Sequence, residues 1–143
     1  MTMVTVHRLR IVSVVVAALA LTAAAFAQEA FDTQMATAVQ HAAFSMEADD
    51  RDMAVRHLGH VLNCIAGEGG DGFDGSWGHP CGGQGAGLLN DIADHEHADD
   101  LVAVLRAAHG LAMTGVEQGS VAAVQAAAAG VRALLLVIGE RGG

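Results

Sequence analysis

Ten glycines crowd into residues 67–87, together with Asp71, Phe73, Asp74, Trp77, His79 and Pro80. No helix or strand period survives such a stretch, so it must be a long connection. The segments on either side are rich in Ala, Leu and Val at helical spacing. A chain split in this way folds as helices on one side of a loop and helices on the other, and no strand pattern competes.

Before the loop, Phe31, Met35, Ala38, Val39, Ala42 and Met46 recur every three or four residues, which predicts an amphipathic helix over 31–47 with Asp32 as its cap. Asp49 or Asp50 caps a second helix whose inward face carries Ala54, Val55, Leu58, Val61, Leu62 and Ile65, with Gly67 as its stop. The short connection makes the two an antiparallel hairpin. After the loop, 88–93 reads as a short helical turn. A third helix is predicted over 98–114, inward at Leu101, Val104, Leu105, Ala108, Leu111 and Ala112, with Gly115 and Val116 as a Schellman stop. A fourth starts at the cap Ser120 and buries Val121, Val124, Ala128, Val131, Leu134, Leu135 and Ile138, with Gly130 as a weak point or a close-packing site. Two αα-hairpins joined by one long crossing predict an all-α four-helix bundle with a Gly-rich crossover loop.

The start of the chain carries His7, Arg8 and Arg10, an apolar run over 11–21, and then Ala23-Ala24-Ala25-Phe26-Ala27. That order is the order of a secretory signal peptide ending in an Ala-x-Ala cleavage site. An uncleaved anchor is the rival, but the apolar run falls short of the roughly 20 residues a membrane-spanning helix needs. The expected organisation is a leader over 1–27 and one helical domain over 28–143, periplasmic or secreted, with no stable membrane span after cleavage. In an oxidising compartment Cys64 and Cys81 are expected to form a disulfide that closes the loop.

Loss of the leader leaves five arginines, no lysine and sixteen acidic residues. A body this acidic has no basic stripe for a phosphate backbone, so nucleic acid is disfavoured as a partner and cations are favoured. Cys-x-x-Cys and Cys-x-x-Cys-His are absent, which argues against dithiol redox chemistry and c-type haem. Asp71-Gly72-Phe73-Asp74-Gly75 lacks the alternating ligands of an EF-hand. There are no Glu-x-x-His pairs for a di-iron bundle, no nucleophile elbow around a serine, and no phosphate-binding glycine motif after a strand, so neither catalysis nor a nucleotide is expected.

Histidine is what remains: His41, His57, His60, His79, His95, His97 and His109. With the first turn centred near Asp49, His41 lies eight residues before it and His57 eight after, so an antiparallel hairpin brings them to one height. Met53, His57, His60 and Cys64 fall on one stripe of the second helix, a soft-donor surface suited to copper and, less selectively, zinc. The first-choice metal ligands are His41, His57 and His60, with Met53 as an extra donor. A secondary site is Asp94, His95 and His97, in a run that is more often a solvated acidic approach to the following helix. His109 reads as a core-edge histidine. Phe73, Trp77 and His79 on the tethered loop offer a second function, docking of a protein partner. Non-covalent haem on His57 or His60 is a third.

Gln40-His41-Ala42-Ala43 and Arg56-His57-Leu58-Gly59-His60, set in alanine-rich hairpins, resemble the small histidine-rich periplasmic metal-binding four-helix bundles of bacteria. That resemblance implies a non-enzymatic protein that binds divalent metals, copper among them. This chain carries fewer histidines than those bundles and adds the glycine-rich loop.

Overall fold

The computed structural model describes the backbone of residues 3–94 and 98–142 and the side chains of residues 25–93 and 98–140. Among the described residues the chain is all-helical, with five α-helices: α1 (Met3–Glu47), α2 (Arg51–Ala66), the short α3 (Leu88–Asp91), α4 (Ala98–Val116) and α5 (Val121–Gly142). Single 3-10 turns occur at Gly75–Trp77 and Ile92–Asp94.

The first helix does not begin near residue 31. It runs unbroken from Met3, and Asp32 lies inside it, accepting from the Gln28 amide at 2.9 Å, where the sequence had suggested a cap. The cause is visible in the composition: no glycine or proline occurs between Met3 and Glu47, and alanine, the best helix former, is dense from Ala17 onward. Its inward face is Phe31, Gln34, Met35, Ala38, Ala42 and Ser45. Met46, expected inside, is exposed, and Ser45 is buried because its hydroxyl donates to the Ala54 carbonyl at 2.7 Å across the hairpin.

Asp50 caps α2, accepting from the Met53 amide at 2.8 Å, and the Gly67 amide closes the far end by donating to the Asn63 carbonyl at 2.9 Å. Gly67 has φ +72°, and a Cβ on it would sit 2.0 Å from the Ala86 oxygen; one on Gly87 would sit 2.5 Å from the Gly67 Cα. The two ends of the 67–87 segment therefore meet backbone to backbone. Cys64 and Cys81 are disulfide-bonded with Cα atoms 5.3 Å apart.

Helix α4 continues two residues past the expected end, through Gly115 to Val116. Gly115 is a packing position and not a Schellman stop: a Cβ there would lie 2.6 Å from Leu58 Cδ2 and 2.7 Å from Ala127 Cβ. Gly130 is likewise a close-packing site, against Leu111. Ser120 does cap α5, its hydroxyl accepting from the Ala123 amide at 3.3 Å.

Helix α1 packs on α2 and α5, α2 on α4 and α5, and α4 on α5. The core among them is aliphatic: Leu58, Leu62, Ile65, Leu88, Leu101, Leu105, Leu135 and Ile138 are fully buried or nearly so, each contributing about 1.5–3 kcal/mol by leaving water. Val121–Glu140 is, at mean hydropathy 2.0, also long and apolar enough to cross a bilayer. Its inner side, with Val124, Ala128, Val131, Leu135 and Ile138, is spent on the core, and Leu136 and Val137 stay exposed.

Candidate metal centre

The hairpin brings His41 of α1 against His57 and His60 of α2. The capped turn at Asp50 and the Ser45 hydroxyl bond fix the register of the two helices, and one helical turn separates the two histidines of α2. His41 Nδ1 lies 3.2 Å from His57 Nδ1 and 3.1 Å from His60 Nδ1. One donor atom from each ring falls within 4.8 Å of the other two, and all three side chains are half-buried. Three histidines are close enough to bind a metal ion.

Hydrogen bonding alone does not satisfy this arrangement. The His60 Nε2–H donates to the Trp77 carbonyl, which leaves Nδ1 of His60 with its lone pair. A proton on His41 Nδ1 can serve that lone pair, but the same nitrogen then has none to offer His57. One of the two short contacts is always unmatched among neutral rings. In a tetrahedral site with metal–nitrogen bonds of about 2.0–2.1 Å, neighbouring donors stand about 3.3 Å apart, close to the two separations found here.

The rings are held neutral. Burial, and then the neighbouring His60 and His57, lower the His41 pKa from 6.5 to about 4. His57 is lowered by burial, then by His60 and Arg56. His60 is lowered by burial and by Arg56, against the opposing pull of the Trp77 carbonyl. Neutral imidazole is the form that ligates.

A second layer supports His60. The Trp77 ring lies flat against α2 where Gly59 leaves room: a Cβ on Gly59 would fall 2.3 Å from the ring. Asn63, fully buried, donates to the Asp74 and Gly78 carbonyls at 2.8 and 2.6 Å and accepts from the Asp74 amide at 2.9 Å. With the disulfide one residue further on, the loop is pinned to α2 at Gly59, His60, Asn63 and Cys64. On the opposite side Phe44, 40% exposed, sets its ring 5.5 Å from His41 and 5.4 Å from His57.

Met53, one turn before His57, is exposed and lines an open depression with Asp50, Arg51, Asp52 and Arg56. His95 and His97 lie outside the described residues, and of Asp94 only the backbone is described, in a 3-10 turn. His79 stacks edge-on against Phe73 at 5.1 Å. His109 donates from Nε2 to the Asp71 carbonyl at 2.8 Å, tying the loop to α4.

Gly59, Asn63 and Phe44 were not singled out from the sequence. An isolated glycine inside a helical pattern was the available signal for the first, since it weakens the helix unless something approaches closely there. For Asn63 the signal was a polar residue amid the apolar residues of α2. Phe44 carries none. No protein-family model matches the chain, and no curated protein and no solved structure matches it either.

Proposed function

We propose that this chain is an exported four-helix-bundle protein that binds one divalent or soft transition metal ion, of the copper or zinc class, through His41, His57 and His60, and that it is not an enzyme. One observation carries the reading: three neutral imidazoles converge with two Nδ1–Nδ1 separations of 3.1 and 3.2 Å that a cation satisfies and a proton does not. The Trp77 carbonyl on the far nitrogen of His60 is the kind of outer partner that fixes a ligand's tautomer. The acidic balance of the chain adds a general attraction for cations. The likeness of the first hairpin to histidine-rich periplasmic bundles points the same way.

Export rests on the leader. In support, none of the described side chains of residues 25–30 is buried and Phe26 is 70% exposed, so the described core starts at Phe31, beyond Ala27. The docking and haem readings have less behind them. Trp77 is packed on its own α2, and the trio converges on one point, where a haem iron would need a ligand standing alone along its axis.

The test is titration of the leader-free, disulfide-intact protein with Cu, Zn and Ni. At free metal about a hundredfold above Kd the stabilisation is about 2.7 kcal/mol, a rise of roughly 10 °C in Tm for a domain this size. Replacing His57 and His60 together abolishes the rise, and replacing His95 and His97 preserves it. If no metal binds below roughly 100 μM, the proposal fails.

A further inference from the structure

We infer that the metal ion held by the trio keeps one coordination position open toward Phe44 and Arg56, and that this position accepts a small monoanion in place of water. The inference rests on the metal-binding reading above and goes beyond it in naming a second ligand for the site.

The first argument is a donor count. Among the described histidine, cysteine and acidic side chains, only three come together at this point. Structural sites close with four protein ligands, and a site with three keeps a position for an exchangeable one. Cys64, a sulfur on the same α2 stripe, is fully buried and committed to the disulfide. The Trp77 carbonyl serves Nε2 of His60, the ring nitrogen turned away from the other two histidines.

The second argument is direction. The loop shuts the site at His60, where a Cβ on Gly78 would already stand 3.1 Å from Nε2. The other side is bounded by Phe44, whose ring meets His41 and His57, is substantially exposed, and has no atom that coordinates a metal. A vacant vertex on that side faces solvent along an apolar wall, which favours a compact ligand over an extended one.

The third argument is charge. Three neutral imidazoles leave a bound divalent ion with its full double charge, and no carboxylate among the described residues belongs to the group. Such an ion is the largest local charge and draws an anion to its open position. Arg56, exposed on α2 next to His57, adds positive potential that already weighs on His57 and His60. A water on the metal leaves as the anion arrives, and no bond of the protein changes.

The experiment uses the full mature chain loaded with Co(II), whose visible ligand-field bands respond to coordination, and sodium azide as the probe. The expected result is a saturable shift of those bands with one azide per metal. The Arg56→Ala variant should bind azide several-fold more weakly while holding cobalt no less tightly, because loss of a nearby cation opposes anions and favours metal ions. A general structural defect would weaken both. Cobalt bands that do not move under saturating azide mean that a protein donor, Met53 first among them, fills the fourth position, and the inference is wrong although metal binding stands. Bands that vanish because azide strips the metal overturn it equally. No cobalt bands at all would remove the metal-binding reading and this inference together.

Discussion

Gly59→Ala is a one-carbon change that tests whether the loop governs the metal centre. The added Cβ would meet the Trp77 indole at 2.3, 2.5 and 2.6 Å, three ring atoms at once, so the ring as a body must retreat by about 1 Å to regain ordinary contact. It is not free to swing, since Asn63 holds the backbone on both sides of it at Asp74 and Gly78. Overpacking of this kind costs about 1–3 kcal/mol. Against it stands the gain of about 1 kcal/mol from replacing glycine by alanine inside a helix. The net expectation is a loss of about 0–2 kcal/mol in urea denaturation of the metal-free protein. Metal affinity should suffer more, because a ring that cannot swing aside passes the strain to the Trp77 peptide, and a small shift of its carbonyl weakens the bond that fixes the His60 tautomer; outer-partner losses of this type lower affinity about 10- to 100-fold. Isothermal titration with zinc beside wild type measures it. A variant that is more stable by the full helix-propensity gain and binds zinc as tightly as wild type would refute the idea that Trp77 is seated on Gly59 and governs His60.

Asn63→Ala removes three hydrogen bonds to the loop backbone at once and should cost about 2–4 kcal/mol, read as a fall in the urea midpoint with the disulfide intact. Gly115→Ala presses a methyl group on Leu58 and Ala127 and should destabilise by about 0–2 kcal/mol after the helix-propensity gain is allowed for; a rise in melting temperature of the full helix-propensity gain would contradict the packing described for α4. In the metal-free protein the lowered histidine pKa values set the sign of the pH dependence. Between the ordinary value of 6.5 and about 4, the unfolded chain binds more protons than the folded one, so stability is full above pH 6.5 and falls as the pH drops toward 4. Denaturation at pH 7.5 and 4.5 should show that fall, and His41→Gln should flatten it.

Much of the histidine cluster could be read from spacing. His41 and His57 stand at equal distances from the turn near Asp49, and His57 and His60 share a stripe, so periodicity sufficed to bring the three together. The Cys64–Cys81 bridge was expected from two cysteines in a chain whose first residues read as a leader. Periodicity has nothing to say about the loop, and there the reading ran out. Asn63 and Gly59 acquire their roles from Asp74, Trp77 and Gly78, residues in a segment without a repeat, and Gln34 is buried because its amide reaches Gly87 and Asp91 more than fifty residues away. Gly115 was misread for a related reason. Its contact with Leu58 belongs to the packing of two helices, and glycine near a helix end has the same letter whether it terminates the helix or lets another approach. The long first helix was missed because amphipathic spacing marks where a helix is buried and not where it begins.

The pinned loop has a consequence for how this molecule endures attack by proteases. Glu68 and Gly69 are exposed, and around Gly69 nothing would obstruct even an added side chain. A cut there falls between the two bridged cysteines, so the pieces remain one covalent molecule. The segment that bears Trp77 stays fastened to α2 by Asn63 and by the bridge. Such a nicked protein would migrate as a single species until a reducing agent parted it, and it would keep its histidine trio in place. That is resistance by attachment: damage to the chain at an exposed point of the loop need not become loss of the site.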